Sequence, residues 1–113
     1  MITIFHNPRC GKSRECLAFL NENNEEVEVI NYLVTPPTFD ELFKIIQMLK
    51  IKPIALVRQK ETIWISDFKN KPLTDDEIVQ AMFLNPILIE RPIVIRDNKA
   101  VIARPYEKVK AIL

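Results

Sequence analysis

The sequence predicts a single α/β domain with a mixed four-stranded sheet flanked by helices and interrupted by an all-helical insertion. Apolar runs typical of strands stand near both ends of the 113-residue chain, and amphipathic helical patterns occupy most of its middle. A hydrophobic fraction of 48% is enough to build a core in a chain of this length. We therefore expect one domain over residues 1–113, with the helical insertion at about 36–90.

The N-terminal part has the pattern of a strand–helix–strand unit. Residues 2–5 are almost continuously apolar, which is typical of a central strand covered on both faces. Residues 11–23 place apolar side chains, Cys16 among them, on one stripe of a helix, so Cys16 is predicted to be in the core. A polar turn at 21–24 and a strand at 27–31 follow, and such units join parallel strands.

Two capping-box motifs indicate helices in the predicted insertion. Thr38 with Glu41, and Thr74 with Glu77, each place a side-chain acceptor and a carboxylate three residues apart ahead of an amphipathic pattern. The stretch between the two helices is less regular. Residues 59–71 mix charged and aromatic side chains without a clean period, which predicts a loop.

The C-terminal part predicts a β-hairpin and a final helix. Residues 91–95 and 100–103 are short strands joined around 97–99. Pro105 is predicted at the first position of the last helix, where its missing N–H costs nothing. This order of elements is that of a thioredoxin-like sandwich carrying a helical insert.

The chemistry is predicted to centre on Cys10, at the turn between the first strand and the first helix. A helix N-terminus favours a thiolate through its unpaired N–H groups and its dipole. Gly11, the only glycine in the chain, follows directly and lets an anion come close to the backbone. A free cysteine is more often a small core hydrophobe. A reactive thiol is favoured here because the stretch also carries basic side chains, namely His6, Arg9, Lys12 and Arg14.

The spacing and number of key residues exclude several other kinds of active site. A Walker A loop needs an earlier glycine, and the chain has none. A dithiol motif of the Cys-x-x-Cys type would need a cysteine where Ser13 stands. A phosphatase-type loop would need an arginine six positions after the nucleophile, where Cys16 stands. One histidine and two separated cysteines make no zinc set, so we expect no metal.

The composition excludes further classes of protein. Lys and Arg number 16 against 15 Asp and Glu, and a net charge of +1 gives no field for nucleic acid or an anionic membrane. No apolar run approaches the ~18 residues of a membrane span. Two cysteines are too few for a disulfide-built secreted scaffold. We therefore expect a cytoplasmic protein that binds neither nucleic acid nor membrane.

Three arginines stand at unusual places beside apolar segments. Arg91 and Arg104 each precede a proline at a strand end, and Arg58 follows the apolar residues 55–57. Any single arginine is most often a solvated charge. The predicted hairpin, however, packs beside the first strand, so Arg91 and Arg104 could reach the Cys10 turn. A planar guanidinium binds a tetrahedral oxyanion with two hydrogen bonds, so such convergence would indicate an anionic substrate.

Four segments of the sequence resemble the glutaredoxin-coupled arsenate reductase (ArsC) family. They are residues 6–14, 33–37, 85–94 and 103–105, and the resemblance extends over essentially the whole chain. It implies a thioredoxin-like fold with a helical insert and an arsenate-reducing site. The best-known members carry a threonine at the position of Lys12.

The resemblance also implies a role for each matching residue. Cys10 matches the cysteine that attacks arsenic, and the supporting positions around its thiolate match His6, Ser13 and Arg14. The three arginines that bind the oxyanion match Arg58, Arg91 and Arg104, and a cis proline matches Pro92. The family resolves its thiol–arsenate adduct with glutathione and then glutaredoxin. Arsenate or a similar oxyanion, glutathione as co-substrate and glutaredoxin are thus the expected partners, with no bound cofactor.

The alternative is a redox-responsive regulator of the same fold that binds RNA polymerase. That branch of the family's relatives carries Cys-x-x-Cys near the N-terminus, and Ser13 removes the second thiol here. The set of three arginines also favours the enzyme.

Overall fold

The computed structural model describes residues 1–23 and 26–113. Within these residues no helix is both long enough and apolar enough to cross a membrane. The chain forms two compact units. A sheet unit comprises Met1–Thr35 and Arg91–Leu113, and a helical unit comprises Pro36–Glu90, which covers the residues predicted for the insertion.

Among the described residues, four strands and one α-helix belong to the sheet unit, and three α-helices belong to the helical unit. Those of the sheet unit are β1 (Ile2–His6), α1 (Gly11–Glu22), β2 (Val27–Asn31), β3 (Ile93–Arg96) and β4 (Lys99–Ile102). Those of the helical unit are α2 (Phe39–Leu49), α3 (Thr62–Asp67) and α4 (Asp75–Leu84). Short 3₁₀ turns span Pro53–Leu56, Pro86–Leu88 and Tyr106–Ala111.

The sheet has the strand order β2-β1-β3-β4. Strand β1 pairs in parallel with β2 and antiparallel with β3, and β3 and β4 form an antiparallel hairpin. This confirms the predicted mixed four-stranded sheet. Because β1 lies between two other strands, its backbone is paired on both sides, and its nearly continuous apolar sequence follows from that central position.

The core of the sheet unit lies between α1, the sheet and the C-terminal 3₁₀ turn. Cys16 and Leu20 of α1 are fully buried there, as the helical stripe predicts. They pack with apolar residues of the strands and the C-terminus, namely Ile2, Ile4, Val94, Ala103 and Val109. The predicted polar turn at 21–24 lies partly within α1, which ends at Glu22, and Asn24 is outside the described residues.

Both predicted capping boxes are present in the helical unit. The hydroxyl of Thr38 accepts a hydrogen bond from the Glu41 N–H at 3.1 Å, and the Glu41 carboxylate accepts one from the Thr38 N–H at 3.0 Å. Thr74 and Glu77 repeat this arrangement at the start of α4. Each box satisfies donors that a helix N-terminus would otherwise leave unpaired.

The predicted loop over 59–71 is wrong, because α3 forms there. Trp64, only 4% exposed, anchors this helix, and its ring stacks on that of Phe68 with centroids 5.5 Å apart. The side chain of Glu61 makes no capping hydrogen bond at the helix start. Burial of one large aromatic side chain therefore stabilises a two-turn helix that has no capping signal in the sequence.

The predicted hairpin is confirmed, and the final helix needs correction. Arg96 and Lys99 pair across a two-residue turn in which Asp97 adopts a left-handed φ of 56°, a conformation that aspartate tolerates. The last element is a 3₁₀ helix rather than an α-helix. Pro105 is its N-cap and not its first residue, because the Pro105 carbonyl accepts the Lys108 N–H, only three residues later, at 3.1 Å.

Candidate active site

Cys10 is the N-cap residue of α1. Its backbone is extended, with φ −94° and ψ 121°. Its carbonyl accepts the Arg14 N–H at 3.0 Å, and its own N–H donates to the Asn7 carbonyl at 3.0 Å. The thiol is therefore fixed at the positive end of the helix dipole and remains partly exposed.

A buried hydrogen-bond network holds the turn before Cys10. The Ser13 Oγ lies 2.6 Å from the His6 Nδ1 and accepts the Asn7 N–H at 3.1 Å. The Asn7 Oδ1 accepts the Arg9 N–H at 2.9 Å. Asn7 is 3% exposed and is a residue that the sequence prediction missed. An asparagine that bonds the backbone two residues on is a known turn signal and could have identified it.

Arg14 and Gly11 form the outer side of the same turn. The Arg14 Nη1 donates to the Pro8 carbonyl at 3.0 Å, which ties its guanidinium to the turn. A Cβ built on Gly11 would meet the Arg14 Nη2 at 3.7 Å, an ordinary van der Waals distance. Neither backbone strain nor crowding by the protein itself accounts for glycine at this position.

The structure brings Arg91 and Arg104 to Cys10. The Arg104 Nη1 lies 3.5 Å from the Cys10 Sγ and donates to the Arg91 carbonyl at 3.1 Å. Arg91 is 6% exposed, and its guanidinium also interacts with the sulfur. The Ala103 N–H donates to the Pro92 carbonyl at 2.9 Å, which joins the two arginine-bearing segments. The Arg91–Pro92 and Arg104–Pro105 peptide bonds are both cis.

The two cysteines have opposite pKa shifts. Partial burial, the largest single influence on the pKa of Cys10, raises it, but the donors around the sulfur together lower it below its ordinary value. These donors are the N–H of Ser13, the guanidinium of Arg104, the N–H of Lys12 and the guanidinium of Arg91. The two N–H groups act through their dipoles, since Cys10 makes no capping hydrogen bond of ordinary geometry. Burial alone raises the pKa of Cys16 to about 11.

His6 is buried and electrically neutral at physiological pH. Burial and, secondarily, the positive charge of Arg14 lower the pKa of its imidazole below the ordinary value. His6 therefore acts on the turn through its hydrogen bond to Ser13 rather than as a resident cation. This differs from the sequence-based expectation that His6 adds positive charge at Cys10.

Arg58 belongs to the helical unit, where it pairs with two carboxylates. Its Nε lies 3.1 Å from the Glu61 Oε1, and its Nη1 lies 3.6 Å from the Glu90 Oε1. The residues brought together around Cys10 all belong to the sheet unit.

In the described part of the chain, no group of three or more His, Cys, Asp or Glu side chains could hold a metal ion.

Comparison with known proteins identifies the family. Residues 5–112 match the model of the ArsC family. The chain is 44% identical to an uncharacterised protein, YfgD, of Escherichia coli strain K12, with 99% of this chain and 96% of that protein covered. It is 40% identical to the arsenate reductase of Neisseria meningitidis, with 99% and 97% covered. An arsenate reductase structure from Vibrio cholerae, 40% identical, superimposes with a TM-score of 0.94 over 99% of this chain and 97% of that one. The chain belongs to the ArsC family and has its thioredoxin-like α/β fold.

Proposed function

We propose that this protein is a thiol-dependent reductase of arsenate or a similar oxyanion, with Cys10 as the nucleophile. The observation that carries the proposal is the Arg104 guanidinium 3.5 Å from the Cys10 sulfur at the start of α1. A thiolate is the nucleophilic form of cysteine, and the lowered pKa of Cys10 favours that form. The arsenate reductases among its relatives supply the substrate class.

The arginines would bind the tetrahedral anion. Arg91 and Arg104 can each offer a pair of N–H donors, a geometry that suits two oxygens of an oxyanion. Arg58 is proposed as the third oxyanion-binding arginine because it matches the third such arginine of the family. His6, Ser13 and Arg14 would keep the turn in shape, and Gly11 would leave room for the anion beside the helix N-terminus.

The reaction would proceed by thiol exchange on arsenic. The Cys10 thiolate attacks arsenic, a sulfur–arsenic bond forms, and one oxygen leaves as water after protonation. Glutathione replaces a second oxygen in the same way. A glutaredoxin thiolate then attacks the glutathione sulfur, a disulfide forms between these two, and the electron pair of the broken sulfur–arsenic bond reduces As(V) to As(III). Water releases arsenite and restores the Cys10 thiol.

An arsenate-reduction assay with glutathione and glutaredoxin tests this function. Arsenite should form with the natural protein, and Cys10→Ser should abolish it because a serine hydroxyl stays protonated. Cys16→Ser, which changes the other thiol, should retain activity. Omitting glutathione or glutaredoxin in turn identifies the thiol donors. Arsenite formation by Cys10→Ser at the natural rate would contradict the proposal.

A further inference from the structure

Asn7 holds the segment between β1 and α1 through three hydrogen bonds. Its carbonyl accepts the Cys10 N–H at 3.0 Å, and its own N–H donates to the Ser13 Oγ at 3.1 Å. Its side-chain Oδ1 accepts the Arg9 N–H at 2.9 Å. The residue is buried, with 3% of its surface exposed. One buried residue thus ties the turn both to Cys10 and to the first turn of α1.

The side-chain bond is the one that requires an asparagine. Any residue except proline can make the two backbone bonds, whereas the bond to the Arg9 N–H needs a short side chain that carries an acceptor. Pro8 lies between the two residues, and a proline ring holds its φ at about −65°. The side-chain bond of Asn7 therefore sets the direction of the chain toward Cys10. Because Arg9 is exposed, water can replace the lost acceptor, and a variant without it should still fold.

The Cys10 sulfur must meet donors from two separate parts of the sheet unit. Against burial, which raises the pKa of the thiol, the N–H of Ser13, the guanidinium of Arg104 and the N–H of Lys12 are among the groups that lower it. The two N–H groups belong to α1, and the Arg104 Nη1 lies 3.5 Å from the sulfur. Displacement of a reactive group by about 0.5 Å is enough to weaken such contacts. The path of the turn therefore determines whether all these donors reach the sulfur.

We propose that Asn7 is a positioning residue that holds the Cys10 sulfur where the donors of α1 and the Arg104 guanidinium meet, and so maintains the nucleophile as a thiolate. This inference rests on the proposed function, in which Cys10 is the nucleophile. Asn7 acts through Cys10 and not on the substrate. Its amide is uncharged, so its replacement by another neutral side chain leaves the charges of the site unaltered. A change in the titration of Cys10 would then report a change in geometry.

The pH dependence of Cys10 alkylation by iodoacetamide tests this role without turnover. In Asn7→Ala the pKa of Cys10 should rise, and the alkylation rate below the pKa should fall about tenfold, the change that one pKa unit produces. Asn7→Ser should give an intermediate result, because a serine hydroxyl makes the same bond more weakly. This partial rescue distinguishes the side-chain acceptor from simple loss of packing.

Asn31 provides a matched control. Its Oδ1 accepts the Leu33 N–H at 3.2 Å, the same bond to the residue two positions on, but at the end of β2. Asn31→Ala should leave the titration of Cys10 unaltered. Urea unfolding checks that each variant is folded, and Asn7→Ser carries the test if Asn7→Ala does not fold.

An unchanged pKa of Cys10 in the folded Asn7 variant, or an equal rise in Asn31→Ala, would overturn the inference. The assay of the proposed function fails separately. Absence of arsenate reduction by the natural protein would contradict the proposed substrate class, whereas the alkylation profiles would still show whether Asn7 positions the thiol.

Discussion

The Arg104 Nη1 is shared between the Arg91 carbonyl oxygen, at 3.1 Å, and the Cys10 sulfur, at 3.5 Å. A backbone hydrogen bond therefore orients the guanidinium toward the thiol. An arginine already fixed in this way loses less side-chain entropy when an anion binds. This arrangement is the basis of the first prediction.

Replacing Arg91 or Arg104 should impair oxyanion reduction strongly. Loss of a charge-assisted hydrogen bond costs ~1.5–3 kcal/mol, which corresponds to a decrease in kcat/KM of roughly ten- to hundredfold. Arg→Lys should recover little of the loss, because an ammonium cannot bridge two oxygens. Steady-state kinetics of arsenate reduction measures the effect.

Arg96 provides the internal control for these variants. It lies at the end of β3, where its backbone pairs with Ile2 and Lys99. Arg96→Ala should therefore be nearly silent in the same assay. A severe loss in Arg96→Ala, together with normal kinetics in Arg91→Ala and Arg104→Ala, would show that the oxyanion site lies elsewhere.

The two thiols should react with alkylating agents over different pH ranges. Cys10 has a lowered pKa and partial exposure, so its labelling by iodoacetamide should begin below the pH at which an ordinary thiol reacts. Cys16 is buried with a pKa of about 11 and should stay unlabelled in the folded protein at neutral pH. Mass spectrometry of peptides follows both sites. Faster labelling of Cys16 would contradict the assignment of the nucleophile.

Oxidation by glutathione disulfide should yield a mixed disulfide at Cys10 and no bridge to Cys16. Six residues of helix separate the two positions by roughly 9 Å along the axis, whereas a disulfide tolerates a Cα separation of ~7 Å. Cys16 also packs in the core between α1 and the sheet. Intact-mass analysis should show one added glutathione. An internal disulfide as the main product would refute this.

The neutral state of His6 predicts a loss of stability in acid. Burial and Arg14 lower its folded-state pKa, while the unfolded chain binds the proton below about pH 6.5. The unfolded state therefore holds more protons than the folded state as pH falls below about 6.5, and the free energy of unfolding should decrease in that range. Urea unfolding measures it. His6→Gln should flatten the curve in this window, and an equally steep curve in that variant would exclude His6 as the cause.

Gly11→Ala should weaken anion binding without lowering the stability of the fold. The new methyl group would lie an ordinary 3.7 Å from the Arg14 Nη2, and alanine favours helix over glycine by up to about 1 kcal/mol. Thermal stability should hold or rise. The concentration of phosphate that halves the rate of Cys10 alkylation by iodoacetamide should increase, because the methyl group occupies space beside the helix N-terminus. Unaltered protection would mean that the anion does not approach Gly11.

Local signals in the sequence predicted most of the fold. The capping boxes at Thr38 and Thr74 define helix starts by pairing side chains with backbone groups three residues away, so neighbouring residues alone specify them. Helix α3 has no such signal. It depends on burial of Trp64, a property of the folded chain that a local sequence pattern does not contain.

One part of the candidate site could be predicted from neighbouring residues, and the other part could not because the tertiary fold creates it. The position of Cys10 at the start of α1 follows from an apolar strand, a polar turn and a helical pattern that are adjacent in the sequence. The hydrogen bond from Arg104 to the Arg91 carbonyl joins two segments through the tertiary fold, and no spacing rule could have identified it. The same applies to the cis bond at Arg104–Pro105 and to the carboxylate partners of Arg58.

The pairing of β1 with β3 fixes the order of events during synthesis. Ile2 pairs with Arg96, so the central strand must wait for a partner that leaves the ribosome after the entire Pro36–Glu90 unit. The helical unit is continuous in sequence and can fold while translation is under way. The guanidinium of Arg104 can reach Cys10 only after residue 104 has been synthesised, so until then the Cys10 thiol lacks this donor.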